Sequence, residues 1–292
     1  MTLLVTGASG RIGRHVVRGL AGAGQRVRAM TRDPETARGL LPPGVEVVHG
    51  DFDRPETWAA ALEGVERAHV FPFAPAAFLD AAARAGTRRF VVHSAVAAGW
   101  DGDRDDGRSP ALRRHLAAER DGHREVELAA EATGAEWTHV RPGLLATGLL
   151  DWAEGVRADR AVRAPYPEYA QALVHEADVA EIAVAALLTD AHVGAAYTIT
   201  GPAPLTQREQ VRAIGAALGE RVRFEELTPE QARQAWRDPD QGVDDAVLDW
   251  LLDLMAYDGP VLVPPTTTFQ RLTGRAPRSV AQWARDHVED FR

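Results

Sequence analysis

The sequence predicts an α/β protein in which a doubly wound parallel sheet is covered by helices on both faces. Short apolar runs alternate with helical periodicity through the first half of the chain, as in repeated β–α–β units. The predicted strands are residues 3–5, 27–30, 45–48, 67–72, 89–94 and 136–141. We expect residues 1–150 to form this sheet, completed by a strand within about 172–203. Residues 151–171 and 204–292 should form a smaller, mostly helical subdomain that binds the substrate.

Helices are predicted between and after these strands. They cover residues 58–62, 75–85, 110–133, 178–188 and 206–218, and much of 229–292. Thr206 with Glu209 three residues later is typical of a capping box at a helix start. Residues 196–201 and 222–225 indicate two more strands, and the polar stretch 101–109 indicates a loop.

A glycine-rich turn follows the first strand and leads into a helix. Gly7 allows a sharp turn, Gly10 leaves room for backbone to approach a pyrophosphate, and Gly13 allows close helix packing. Free N–H groups and the helix dipole favour an anion there. The motif predicts a nucleotide cofactor held by Gly7, Ser9, Gly10, Arg11, Ile12 and Gly13. The alternative is a tight turn without a ligand.

Composition excludes several classes of function. The 292 residues carry a net charge of −9, which disfavours duplex nucleic acid as a partner. Lysine, asparagine and cysteine do not occur, which rules out Schiff-base chemistry and disulfides. The ten histidines show no metal-ligand spacing, so we expect no metal. The chain begins directly with a predicted strand and has no apolar run long enough to span a membrane. These two features predict a cytoplasmic protein without a membrane partner.

The chain resembles the NmrA-like, atypical branch of the short-chain dehydrogenase/reductase superfamily, which has an NAD(P)-binding Rossmann fold. The resemblance rests on motifs along the whole chain: 6–13, 27–34, 50–52, 91–94, His123 with Glu127, 137–143, 175–180, 197–202 and 272–278. It implies an oxidoreductase that uses a nicotinamide cofactor. The motifs do not name a substrate.

The resemblance also implies which residues hold the cofactor. Arg32 would bind the 2′-phosphate, with help from Arg11, so NADP(H) is favoured over NAD(H). The alternative is that both are solvated surface arginines. Asp51 would contact adenine or, about equally well, cap a turn. The remaining implied contacts are Phe52, Phe71, Pro72, Phe73, Pro142 and Gly143.

The acid machinery typical of the superfamily is missing from this chain. At the positions where members of the superfamily carry the catalytic Tyr and Lys, this chain looks to have His123 and Glu127, one helical turn apart. His123 could donate a proton while Glu127 orients the ring, and Ser94 could bond a substrate oxygen. The alternative for the pair is a surface contact worth a few tenths of a kcal/mol.

The expected substrate walls are apolar and aromatic, with Trp100, Leu144, Leu145, Tyr166 and Tyr169. They favour a flat carbonyl, enone or quinone-like compound as substrate. Two other functions stay open. One is an NADP(H)-binding redox sensor that works through a protein partner, and the other is a non-redox cyclase or isomerase. A homodimer is also compatible with the sequence.

Overall fold

A seven-stranded parallel sheet forms the centre of the computed structural model, which describes residues 1–100, 107–258 and 261–292. The strands are β1 (Thr2–Thr6), β2 (Arg26–Thr31), β3 (Glu46–His49), β4 (Val65–Val70), β5 (Arg89–His93), β6 (Glu136–Pro142), β7 (Ala161–Ala164), β8 (Ala170–Gln171), β9 (Ala195–Ile199), β10 (Leu205–Thr206) and β11 (Arg223–Glu226). The sheet order is β3-β2-β1-β4-β5-β6-β9. The order reverses between β1 and β4, as the prediction of a doubly wound sheet requires.

The helices of the described residues cover both faces of this sheet. They are α1 (Arg11–Gly22), α2 (Pro34–Leu40), α3 (Trp58–Leu62), α4 (Ala76–Arg84), α5 (Pro110–Ala132), α6 (Ala153–Asp159), α7 (Glu176–Leu188), α8 (Gln207–Leu218), α9 (Pro229–Trp236), α10 (Asp245–Ala256), α11 (Thr268–Thr273) and α12 (Val280–Asp286). Within the described ranges, no helix is both long and apolar enough to cross a membrane.

Alternation of side chains along the strands builds two cores. Leu3 and Val5 on β1 are fully buried on one face, against α1 and α7. Leu4 between them is fully buried on the opposite face, where α3, α4 and α5 pack. A strand that is buried on both faces has a continuous run of apolar residues in the sequence. The position of β1 could therefore be predicted.

A third core lies outside the sheet and centres on Trp283, which is fully buried among side chains of α6, α8 and α12. The short pairs β7–β11 and β8–β10 border it. The division near residue 150 stays a prediction. The capping box at α8 is confirmed, since Glu209 N donates to Thr206 Oγ1 at 3.2 Å and Thr206 N donates to Glu209 at 2.8 Å.

Several expectations differ from the structure in detail. Helix α2 and strands β7, β8 and β10 were not predicted, because segments of two to seven residues carry too little periodicity. Of the polar loop expected at 101–109, residues 101–106 lie outside the described residues.

Candidate functional site

The glycine turn at the end of β1 has the shape that a bound pyrophosphate needs. Gly7 has a φ of 60°, a left-handed conformation that favours glycine. A Cβ on Gly13 would overlap the Gly7 carbonyl oxygen, and one on Gly10 would come within 3.1 Å of it. Any side chain at these positions would therefore push the turn away from the helix.

The start of α1 is open to an anion. Gly10 is its N-cap, and no side chain of the described residues caps this end. The helical hydrogen-bond ladder begins with Arg14 N, which donates to the Gly10 carbonyl at 3.0 Å. The preceding N–H groups with the helix dipole behind them form a site for a phosphate group, so the residues present fit a dinucleotide.

The end of β2 separates the roles of two neighbouring charged residues. Asp33 caps α2, because its carboxylate accepts from Glu35 N and Thr36 N, each at 3.1 Å. Arg32 is exposed and makes no hydrogen bond or ion pair within the part of the chain that the structure describes. Ser9 Oγ lies 3.1 Å from Thr31 Oγ1, so the glycine turn and this strand end are in contact. Arg32 is thus available to a ligand bound at the turn.

Arg11 and Asp51 are engaged within the protein. Arg11 Nη1 donates to the Thr147 carbonyl at 2.9 Å, which ties α1 to the segment after β6. Asp51 Oδ1 accepts from Asp53 N at 3.1 Å, so the turn-capping alternative is present in the structure. Phe52 packs edge-on against Phe78, with ring centroids 4.9 Å apart. Cofactor contacts by these residues stay predictions.

Two aromatic rings extend from the glycine turn along one wall of the site. Phe71 N donates to Thr6 Oγ1 at 2.8 Å, and a Cβ on Gly7 would lie 2.9 Å from the Phe71 ring. The rings of Phe71 and Phe73 are 5.4 Å apart, and Phe73 is 72% exposed, with Pro72 between them. These rings offer an apolar surface directly beside the cradle.

His123 on α5 continues this wall. Its ring centroid is 6.4 Å from that of Phe73, and both residues line a groove of about 360 Å³. Its Nε2 lies 3.6 Å from the carboxylate of Glu119. Its Nδ1 is buried without a hydrogen-bond partner among the described residues. The structure therefore brings His123 next to the aromatic wall, with one ring nitrogen towards a carboxylate.

Glu127 does not orient His123, and that expectation was wrong. Arg141 Nε and Nη2 donate to the fully buried Glu127 carboxylate at 2.7 and 2.6 Å, and Arg124 Nη1 donates at 2.8 Å. Burial raises the pKa of Glu127, but hydrogen bonds from Arg141 and Arg124 bring this pKa down to about 2. The four-residue spacing would allow a contact between His123 and Glu127. Arg141 and Arg124 nevertheless attract the Glu127 carboxylate more strongly than a histidine does.

Ser94 lies directly after β5, where the sequence placed it. Its backbone N donates to the Val140 carbonyl at 2.8 Å, and the residue is 2% exposed. The hydroxyl lies near Glu127 and helps to lower its pKa. Its Oγ nevertheless reaches hydrogen-bond geometry with no described residue. The hydroxyl is therefore a buried group that a substrate oxygen could engage.

Two histidines that sequence reasoning missed lie beside this site. The rings of His69 on β4 and His93 on β5 are 6.1 Å apart. Burial lowers the pKa of His69 to about 4 and that of His93 to about 3, and His123 contributes to the second shift. Both rings are therefore neutral near pH 7. Strand register could have indicated the pair, because His69 is opposite Val91 and His93 follows two residues later, on the same face.

The segments expected to form the substrate walls lie in two places. Trp100 and Tyr169 pack in one cluster with Trp250 of α10 and Leu112 of α5. Burial raises the pKa of Tyr169, whose hydroxyl has no hydrogen-bond partner among the described residues. Tyr166 has a φ of 54°, and its carbonyl accepts from Gln207 at 2.9 Å.

The other wall residues follow β6. Gly143 N donates to the Ile199 carbonyl at 2.8 Å, which fixes the turn after the buried Pro142. Leu144 is 40% exposed, whereas Leu145 packs against the core of α1 and α7. Leu144 is therefore the more accessible of the two to a substrate. Contact with a cofactor or substrate stays a prediction for all of them.

Comparison with known proteins assigns the family. Residues 7–190 match a family model described as NAD(P)H-binding. The chain belongs to this NAD(P)H-binding family, as the resemblance implied.

Two similar proteins match along their whole length. The chain is 37% identical to a (4-alkanoyl-5-oxo-2,5-dihydrofuran-3-yl)methyl phosphate reductase of Streptomyces griseus subsp. griseus, over 99% of both chains. It is 33% identical to an NAD(P)H azoreductase of Xenophilus azovorans, again over 99% of both chains.

Solved structures show the same fold. A triphenylmethane reductase of Citrobacter sp. matches with a TM-score of 0.76 at 21% identity, over 99% of this chain and 100% of that one. An NADPH-dependent quinone oxidoreductase of Escherichia coli matches with a TM-score of 0.74 at 22% identity, over 98% and 99%. The predicted architecture is thus shared over the whole chain.

Proposed function

We propose that this protein is an NADPH-dependent reductase of small, flat and largely apolar carbonyl, enone or quinone-like compounds. One observation carries the proposal: an unbroken path leads from the glycine turn through Phe71 and Phe73 to His123. A dinucleotide held at the turn would extend along these rings, and its reactive end would meet His123 at the end of the path.

The cofactor preference follows from the end of β2. The guanidinium of Arg32 suits a phosphate dianion, since its N–H donors bind oxygens in pairs. The Asp33 carboxylate already accepts hydrogen bonds from two backbone N–H groups at the start of α2. It is therefore not proposed as the acceptor for a ribose hydroxyl. NADP(H) is therefore proposed over NAD(H).

Bound NADPH supplies a hydride, that is, two electrons and one proton equivalent, to the acceptor. The protein then has to supply one further proton and to exclude water from the site. His123 is proposed to provide that proton from a ring nitrogen, and the rings of Phe71 and Phe73 to shield the reacting atoms. Ser94 Oγ is proposed to hold the acceptor oxygen, since this hydroxyl, although near Glu127, reaches full hydrogen-bond geometry with no described residue.

The relatives support the choice of acceptor. One is named as a reductase of a (4-alkanoyl-5-oxo-2,5-dihydrofuran-3-yl)methyl phosphate and the other as an NAD(P)H azoreductase. These names support, for this protein, a conjugated acceptor that accepts a hydride readily, for which one imidazole is a sufficient acid.

A panel of acceptors tests this proposal. NADPH oxidation is followed by absorbance with quinones, enones and a saturated ketone, with and without protein. We expect turnover of the conjugated acceptors and little with the ketone. Tight NADPH binding without oxidation by any acceptor would favour the redox sensor instead, which the missing Tyr/Lys pair also allows. Product formed without cofactor would favour an isomerase or cyclase.

A further inference from the structure

Tyr166 has a backbone conformation that a tyrosine rarely adopts. Its φ of 54° lies in the left-handed region, and among the described residues only Arg160 is another non-glycine with a positive φ. Arg160 ends helix α6, where this conformation is common. Pro167 follows Tyr166, and a residue before proline favours an extended backbone. Glycine would fit here with less strain, so a tyrosine at this position points to a use for its side chain.

The first turn of α8 holds Tyr166 in this conformation. Gln207 is 4% exposed, and its Nε2 donates to the carbonyls of Pro165 and Tyr166 at 2.7 and 2.9 Å. Its backbone N donates to the Tyr169 carbonyl at 3.0 Å. We call residues 165–169 the tyrosine loop. One buried glutamine therefore fixes both ends of this loop.

The tyrosine loop lies beside the helix that carries His123. Tyr169 and Trp100, which belongs to the segment after β5, both pack on a cluster that includes Leu116 of α5. Leu116 is two helical turns before His123, which corresponds to about 10 Å along the helix axis. An acceptor that reacts beside His123 would extend towards this loop.

The hydroxyl of Tyr166 is available to a ligand. The side chain is partly exposed, and its hydroxyl is neither buried nor hydrogen-bonded within the part of the chain that the structure describes. The hydroxyl of Tyr169, by contrast, is buried. Tyr166 is thus the residue of the loop that can reach a bound molecule without a rearrangement of the protein.

We propose that Tyr166 is a specificity-determining residue that contacts the acceptor, and that Gln207 is the positioning residue that holds it in place. This inference rests on the proposed function and narrows its substrate class. The ring packs on the face of the flat acceptor, and the hydroxyl donates to an oxygen away from the reacting carbon. The ligand class is therefore a flat conjugated molecule with a second carbonyl oxygen, as in a quinone.

Two variants test the role of Tyr166. Tyr166→Phe removes the hydroxyl, and Tyr166→Gly removes the ring together with the backbone strain. Binding of 1,4-naphthoquinone to the protein saturated with NADP⁺ is followed by quenching of tryptophan fluorescence. We expect the Kd to increase about 3- to 10-fold in Tyr166→Phe, as loss of one hydrogen bond implies. It should increase more than about 10-fold in Tyr166→Gly, which also loses the ring contact.

Thermal unfolding shows whether the ring serves packing instead. The melting temperature of Tyr166→Gly should stay within about 4 °C of the wild type, because relief of strain offsets the lost contacts of the ring. A larger decrease would assign the ring to the stability of the fold and would overturn its proposed role.

Gln207→Ala tests the positioning, and Gln210→Ala is the matched control. Gln210 is 3% exposed on the same helix, but its Nε2 donates to the Leu205 carbonyl at 2.8 Å and not to the tyrosine loop. We expect the Kd for the quinone to increase about 3- to 10-fold in Gln207→Ala and to stay unchanged in Gln210→Ala. In the Tyr166→Gly background, Gln207→Ala should add nothing, since no ring is left to misplace.

The outcomes separate this inference from the proposed function. An unchanged Kd in either Tyr166 variant overturns the role of Tyr166, even if the wild type oxidises NADPH. An equal effect of Gln207→Ala in both backgrounds overturns the positioning role of Gln207. Quinone binding that depends on Tyr166, without NADPH oxidation by any acceptor, would contradict the proposed function and retain the loop as a quinone site.

Discussion

Arg141 on β6 clamps the buried carboxylate of Glu127 on α5 with two hydrogen bonds of 2.7 and 2.6 Å. The Glu127 side chain is 0% exposed and that of Arg141 is 16% exposed. The pair joins the long helix that carries His123 to β6, which lies beside the edge strand β9 of the sheet. We therefore interpret Glu127 as part of the scaffold under the site, not as a group that handles a proton.

Arg141→Met should destabilise the fold strongly, because it leaves the Glu127 charge buried without its main partner. We expect the free energy of unfolding to fall by about 3–5 kcal/mol in urea titrations. Arg88→Met is the control, since the Arg88–Glu66 pair is 77% and 38% exposed and should contribute less than about 1 kcal/mol. Equal losses in the two variants would show that the clamp does not stabilise the fold.

Gly13→Ala should disrupt the cradle itself. The new Cβ would overlap the Gly7 carbonyl oxygen, so α1 or the turn must move. We expect loss of measurable NADPH binding by calorimetry together with a lower melting temperature. Gly22→Ala is the matched control in the same helix, because a Cβ there meets nothing within 4 Å. That variant should bind normally and gain up to about 1 kcal/mol of stability.

Arg32→Ala should weaken NADPH binding and leave NADH binding almost unchanged. Loss of charge-assisted hydrogen bonds to a phosphate corresponds to about a 10- to 100-fold increase in the Kd for NADPH. Arg38→Ala removes another exposed arginine of the same segment and should change neither Kd. Parallel weakening of both cofactors in Arg32→Ala would contradict a role for Arg32 at the 2′-phosphate.

The cluster around Glu176 should make stability depend on pH. His287 Nε2 lies 2.6 Å from the Glu176 carboxylate, and Trp283 Nε1 donates to it at 3.1 Å. Burial raises the pKa of Glu176, but hydrogen bonds from His175 and His287 leave it well below its usual 4.5. Burial lowers the pKa of His287, but hydrogen bonds to Glu176 and Asp290 leave it above its usual 6.5.

The two shifts act at opposite ends of the pH range. The carboxylate contribution is present above pH 4.5 and is lost as pH falls through the lowered pKa. The His287 contribution is complete below pH 6.5 and is lost as pH rises through the raised pKa. In urea unfolding, His287→Gln should have a lower free energy of unfolding than the wild type. This difference should be largest between pH 4.5 and 6.5 and should decrease at alkaline pH. A deficit that does not vary with pH would contradict this linkage.

Local patterns were sufficient for the sheet and the glycine turn. Buried strands such as β1 are continuous apolar runs, and Gly7, Gly10 and Gly13 each have a steric reason that can be recognised from spacing. The acid–base partners could not be assigned in the same way. A helix offers His123 a neighbour one turn ahead and one turn behind, and spacing alone does not choose between Glu127 and Glu119.

Long-range contacts decided that choice. Arg141 is 14 residues beyond Glu127 and reaches it only because β6 lies under α5 in the folded protein. The buried histidines His69 and His93 likewise become neighbours only through the pairing of β4 with β5. Side-chain competition of this kind depends on tertiary packing, which a linear pattern does not contain.

Isotope transfer tests the central claim most directly. NADPH that carries two deuterium atoms at C4 of the nicotinamide is incubated with the protein and an enone. The mass of the product is then measured by mass spectrometry. We predict one carbon-bound deuterium per product molecule and one NADPH consumed for each. Product without deuterium, or bound cofactor that is never consumed, would contradict the assignment of this protein as an NADPH-dependent reductase.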